Sequence, residues 1–131
     1  MGQKKILNPL GWPRPSGYSN GIWTEGKQIF VAGQVGWNKD ETLVGPGFVE
    51  QFRQVLINTL EILKTAEAGA EDIVRMTWFI VDKKEYLDNL SEIGTIYRQH
   101  MGRNYPVMSV VQVAGLIEDG AKLEIETTAV I

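Results

Sequence analysis

Ile73-Val74-Arg75-Met76-Thr77-Trp78-Phe79-Ile80-Val81 is the stretch on which the fold turns. Its β-branched and aromatic residues, bounded by Asp72 and Asp82, predict a strand. Alternation sets Met76, Trp78 and Ile80 on one side and Ile73, Phe79 and Val81 on the other. Both sides are apolar, so a strand here asks for cover on each face of its sheet.

Downstream, Asp82 with Glu85 three residues later makes a capping-box-like start for a helix. Its apolar face would be Tyr86, Leu90, Ile93, Tyr97 and Met101, and Gly102 ends it. Pro106 introduces a strand over about residues 107–114. After a loop at 115–120, residues 121–131 alternate cleanly. Leu123, Ile125, Thr127, Ala129 and Ile131 share one face; Lys122, Glu124, Glu126, Thr128 and Val130 share the other. Upstream, Gly69 is a natural helix stop. Before it, Phe48, Phe52, Val55, Leu56, Leu60 and Leu63 recur at helical spacing, while Gln51, Arg53, Gln54, Asn58, Glu61 and Lys64 fill the other side. Residues 36–47 carry loop chemistry. Residues 18–24 and 28–35 read as two strands joined by Glu25-Gly26-Lys27 in a hairpin, and residues 1–17, rich in Pro and Gly, as an extended leading segment.

The order is β-β-α-β-α-β-β, one α+β sandwich spanning residues 1–131 without a repeat or linker. Two amphipathic helices cover one face of such a sheet and no more. The doubly apolar strand therefore predicts that the uncovered face packs against further copies of the chain, as an oligomer.

Composition narrows the function. Hydrophobic residues at 44% and charged residues at 22% exclude disorder. No apolar run approaches the ~18 residues that cross a bilayer. Lys4 and Lys5 are followed by Asn8, Pro9, Gly11, Pro13 and Pro15 instead of the apolar core of a signal peptide. The absence of cysteine suits a reducing compartment, and the expected location is cytoplasmic. A net charge of −3 with scattered basic residues disfavours nucleic acid as a partner.

Several chemistries drop out. Without cysteine there is no thiol nucleophile and no thiolate zinc site. His100 is the one histidine, beside Gly102 at a predicted helix end, where an imidazolium would meet the helix dipole favourably. No GxSxG elbow accompanies it. The glycines at 33, 36, 45 and 47 form no dinucleotide or phosphate-binding pattern, so neither a cofactor nor a metal is signalled. Glu124 and Glu126 share a strand face, about 7 Å apart from a rise of ~3.3 Å per residue. They fit either a general acid–base pair on a buried face or two solvent-facing carboxylates.

Four collinear segments then carry a resemblance. Gly17-Tyr18-Ser19-Asn20-Gly21 resembles G-P-Y-S-Q-A, and Phe30-Val31-Ala32-Gly33-Gln34-Val35 resembles F-V-S-G-Q-I. Asp72-Ile73-Val74-Arg75-Met76-Thr77-Trp78-Phe79 is similar to D-I-V-K-T-T-V-F. Tyr105 to Ala114 with Gly120 to Glu126 is similar to F-P-A-R-S-x-V-Q-V-A and G-A-K-V-E-I-E. These are the patterns of the RidA (YjgF, L-PSP) family. The resemblance implies a chorismate-mutase-like α+β fold assembled as a homotrimer, with clefts between subunits. It implies cofactor-free hydrolysis of reactive imines and enamines, and a cleft lined by Tyr18, Gly33, Met108, Ser109 and Glu124. In the family a glutamate at the position of Glu124 helps orient water, and backbone near Gly33 contacts the ligand.

Met108 departs from the pattern, which has an arginine that holds the substrate carboxylate. Guanidinium makes a bidentate, charge-assisted pair that a thioether cannot. At about 1.5–3 kcal/mol per charged hydrogen bond, the loss weakens carboxylate binding roughly 10- to 100-fold or more. Arg14, Arg75 and Arg103 are candidates to supply the charge from another direction. Trp12 and Trp37 lie in segments that border the family's cleft, and with Tyr18 and Met108 they would make it apolar and aromatic. The expected partners are a small metabolite and further copies of the chain, with no membrane. Two functions stand: a deaminase-type hydrolase with altered substrate range, in which Glu124 positions water and Ser109 holds the ligand, or a non-catalytic ligand-binding or chaperone-like trimer. The acidic charge argues against a third, endoribonuclease or translation inhibitor.

Overall fold

The computed structural model describes residues 4–131. Strand β1 (Lys4–Leu7) pairs with β2 (Gly21–Thr24) in a small antiparallel ribbon. The main sheet holds β3 (Gln28–Gln34), β4 (Ile73–Ile80), β5 (Val107–Gln112) and β6 (Leu123–Val130) in the order β3-β6-β4-β5. β6 runs antiparallel to both of its neighbours, and β4 and β5 are parallel. Parallel strands need a long crossover, supplied here by α2 (Lys83–Asp88) and α3 (Leu90–Met101). Helix α1 (Phe48–Lys64) precedes β4, with one 3-10 turn at Ala70–Asp72 between them. The fold is α+β in two layers, and no helix among the described residues is long and apolar enough to cross a membrane.

Helices α1 and α3 cover one sheet face. Phe48, Phe52, Val55, Leu56 and Leu63 of α1 are buried with Met76, Trp78 and Ile80 of β4 and with Leu123, Ile125 and Ala129 of β6. Ile93, Ile96, Tyr97 and Met101 of α3 complete this core. The first backbone donors of α1 are met by acids: Glu50 Oε1 accepts from Gly47 N–H at 2.7 Å and Glu85 Oε2 from Phe48 N–H at 3.1 Å. Both place negative charge at the positive end of the helix.

The other face is open. Strand register reads Phe30–Thr128–Arg75–Val107 along one row, then Glu126–Thr77–Ser109, then Glu124–Phe79–Val111. Phe30 is 72% exposed and Val111 41% exposed.

Five expectations change. Ile73 is buried beside Met76 instead of opposing it, because a bulge between Ile73 and Arg75 shifts the strand's parity. The β2–β3 hairpin does not form as a pair. β2 joins β1, while the backbone at Lys27 exchanges hydrogen bonds with Ile131 at 2.7 and 2.9 Å. The second helix is broken at Asn89 (φ −116°, ψ 17°), whose side-chain amide donates to Glu85 O while its own carbonyl starts α3. Gly69 does not stop α1; Glu67, left-handed at φ 57°, turns the chain, and Gly69 caps the 3-10 turn against Asp72. Gln51, expected on the solvent side, is 0% exposed. Its amide donates to Gly45 O and Gly120 O and accepts from Lys122 N–H, at 2.7–3.0 Å. It therefore ties α1 to two loops and β6 in a polar clamp that helical periodicity does not announce.

Candidate functional site

Met108 and Ser109 are consecutive in an extended strand, so they point to opposite faces. Met108, opposite Met76 in register, faces the helices, whereas Ser109, opposite Thr77, faces the open side. This parity splits the expected site in two.

On the helix side, Ser19 forms a parallel bridge to Val107, and its N–H donates to Pro106 O at 3.1 Å. That contact lays Tyr18 beside Met108. The two line a half-open cavity of about 580 Å³ with Trp78, Tyr86, Tyr97 and Tyr105. Tyr97 and Tyr105 stack at 5.7 Å, and Trp78 meets Tyr86 edge-on at 6.4 Å. Burial raises Tyr86 and Tyr97 above the ordinary phenol range, so both rings stay neutral. Trp78 Nε1 is buried without a hydrogen-bond partner. Arg98 contributes the one formal charge to this lining.

On the open side, Gly33 lies within the β3 irregularity between Val31 and Gln34. A Cβ added at Gly33 would sit 2.2 Å from Glu124 Oε2, so the Glu124 carboxylate lies across the glycine where a side chain would stand. Ser109 is on the same face, but β4 separates it from β6. Two strand spacings put the backbones about 9.5 Å apart, and the rows differ as well. One chain therefore does not bring Ser109 and Glu124 to a common atom. Glu126 lies nearer a second open-face hollow, with Arg75 and Thr77.

The tryptophans are dispersed. Trp12 is 59% exposed in the leading segment. Trp37 is held to α1, where Asn58 Nδ2 donates to its carbonyl at 2.8 Å. Neither lines the cavity of Met108, so the aromatic wall is made by Trp78, Tyr86, Tyr97 and Tyr105 instead. Of these, Trp78, Tyr86 and Tyr97 were legible only as core residues, because facing a core and facing a cavity need the same spacing. Of the arginines named as substitutes, Arg75 lies on the wrong face for Met108. Arg14 and Arg103 line a neighbouring groove together with Arg98. His100 also differs from expectation: burial first, then Arg53, lowers its pKa, so its surroundings favour the neutral ring. Among the described residues no three His, Cys, Asp or Glu side chains converge as a metal ion requires.

Comparison with known proteins assigns the family and agrees with the fold. A family model described as endoribonuclease L-PSP matches residues 13–131. The human 2-iminobutanoate/2-iminopropanoate deaminase is 31% identical over 129 residues, which cover 97% of this chain and 90% of that protein. A RutC family protein of Leuconostoc mesenteroides is 32% identical, covering 96% and 97%. Among solved structures, YyfB of Yersinia pestis, a conserved Rid family protein of unknown function, superposes with a TM-score of 0.86 at 31% identity, over 98% of both chains. TdcF of E. coli, solved with bound serine, gives 0.68 at 32% identity, over 97% of this chain and 98% of that one. This chain belongs to the Rid (YjgF, endoribonuclease L-PSP) family.

Proposed function

We propose that the chain is a cofactor-independent hydrolase of an imine, enamine or related reactive metabolite, with a substrate range altered by Met108. The observation that carries this reading is the Glu124 carboxylate laid over Gly33 on the open face. A carboxylate there can accept a proton from water as the water adds to a C=N carbon. The sum is imine plus water giving carbonyl plus ammonia, and water supplies every atom the nitrogen gains. The relatives named as 2-iminobutanoate/2-iminopropanoate deaminases support this class.

Because Met108 with Tyr18 and Glu124 with Gly33 lie on opposite faces of one sheet, the reading requires a second copy. The half-site of Met108 on one chain would meet that of Glu124 on another, in a homotrimer closed over the open face. Exposed Phe30 and Val111 give that face an apolar surface to bury. Ser109, too far from Glu124 within one chain, would hold the ligand as a hydrogen-bond donor from the copy that supplies Met108.

A coupled assay of 2-iminopropanoate hydrolysis tests the reading. Weak or absent turnover of this small imino acid is expected, rising at least tenfold in Met108→Arg. Full turnover by the native chain would overturn the role given to Met108. No turnover by either form, with any imine offered, would favour the second reading, a non-catalytic binding trimer, which the largely aromatic lining of the Met108 cavity supports. Sedimentation of a monomer would refute both assemblies.

A further inference from the structure

Arg14, Arg98 and Arg103 line one groove of about 680 Å³, and no Asp or Glu lines it with them. These are three of the chain's five arginines, gathered in a protein of net charge −3. Neither ion pair among the described residues, Lys84–Asp88 or Lys122–Glu85, involves them. Like charges held at one groove without an acid repel each other, and a bound anion relieves that repulsion. Guanidinium forks match an oxyanion in geometry as well as charge.

The groove also adjoins the aromatic cavity of Met108. Ser16, Gly17, Tyr18, Arg98 and Tyr105 line both. One ligand can therefore rest its body on Met108, Trp78 and Tyr97 and project a head past Tyr18 toward the arginines. We propose that this groove is an anion subsite, so that the ligand of the Met108 cavity is an amphipathic acid: an aromatic or branched apolar body carrying a carboxylate or phosphate at its far end. The proposal rests on the Met108 cavity being the ligand site. A three-carbon acid is too short to fill both places. The charge absent at position 108 is thus present, displaced outward by the depth of the aromatic cavity.

Isothermal titration of the intact protein with 3-phenylpropanoate, phenyl phosphate, 3-phenylpropanol and acetate tests this. At least one aromatic anion should bind tenfold or more tighter than the alcohol, and tenfold or more tighter than acetate. The double variant R14A/R103A, at two residues that line the groove and not the cavity, should weaken the anions tenfold or more and leave alcohol binding unmoved. Should that variant fail to fold, Arg14→Ala in the leading segment should still weaken the anions severalfold and spare the alcohol. Equal binding of alcohol and anions, acetate binding as well as the aromatic acids, or anion affinity indifferent to these substitutions would overturn the proposal. Binding is read without turnover, so the two readings fail separately. Arginine-dependent binding with no hydrolysis of any imine sinks the hydrolase alone, and hydrolysis with no preference for aromatic acids sinks the subsite alone.

Discussion

The two faces of the four-stranded sheet obey different rules. Under α1 and α3, Met76, Trp78, Ile80, Leu123 and Ile125 are all buried and apolar, and each is replaceable only by something of like volume. On the open face the rows alternate Phe30 with Thr128, Thr77 with Glu126, and Phe79 with Glu124. A surface meant only for water would not carry Phe30, Phe79 and Val111, and one meant only for a core would not carry Glu124 and Glu126. The covered face holds the fold, while the open face mixes exposed apolar and acidic side chains, as the assembly proposed above requires. Met108 and Ser109, adjacent in sequence and opposed in space, mark the boundary between these two roles.

The contrast is most exposed to challenge in the core. Phe52→Ala should cost about 3–5 kcal/mol in urea unfolding, because a buried ring next to Trp78 leaves a cavity its neighbours cannot fill. Gln51→Ala, on the same helix, should cost about 3 kcal/mol through the carbonyls and amide it leaves unpaired. Exposed Glu61→Ala should stay within about 0.5 kcal/mol. A Gln51 variant as stable as the parent would show that the clamp is incidental.

On the open face the sensitive quantity is assembly. Phe30→Asp should leave the far-ultraviolet circular dichroism unchanged and shift sedimentation to the monomer. An unaltered sedimentation coefficient would remove Phe30 from any interface. Gly33→Ala should displace the Glu124 carboxylate, since the added methyl would lie 2.2 Å from Oε2. Turnover of an accepted imine is expected to fall about 100-fold, the lower end of what a general base contributes, with the melting temperature moved by only a few degrees.

The smallest effect lies away from both faces, at His100. Its folded pKa is below 6.5, from burial and from Arg53 Nη1 at 3.5 Å, so the unfolded chain takes up the proton first. Stability from the neutral ring is full above about pH 6.5 and is lost as the pH falls through the lower folded value. His100→Gln should slightly flatten the decline of melting temperature between pH 7 and pH 5, and a steeper decline would reverse the assignment.

Much of this architecture was legible in the sequence. The alternation of Leu123 to Ala129 and the spacing of Phe48, Phe52, Val55 and Leu63 report burial directly, because one face of each element meets one environment. The misreadings share a cause. Gln51 is polar yet buried because loops at Gly45 and Gly120, distant in sequence, bring it their carbonyls and Lys122 brings its N–H. β2 leaves β3 because Lys27 finds Ile131 at the far end of the chain. Ile73 changes sides because of one bulge that no local pattern encodes.

The candidate site divides along the same line. By itself the sequence determined the family motifs, the α+β order and the apolar character of both sides of β4, since all of these are properties of residue type and spacing. Only the tertiary structure decided that Met108 takes the helix face and Ser109 the open one, that Glu124 lies over Gly33, and that Arg14, Arg98 and Arg103 line one groove beside an aromatic cavity. Those three arginines belong to a leading loop, a helix and the turn after that helix. Their meeting depends on the bridge from Ser19 to Val107 that draws the leading segment onto β5, a contact between residues 88 positions apart that local chemistry does not specify.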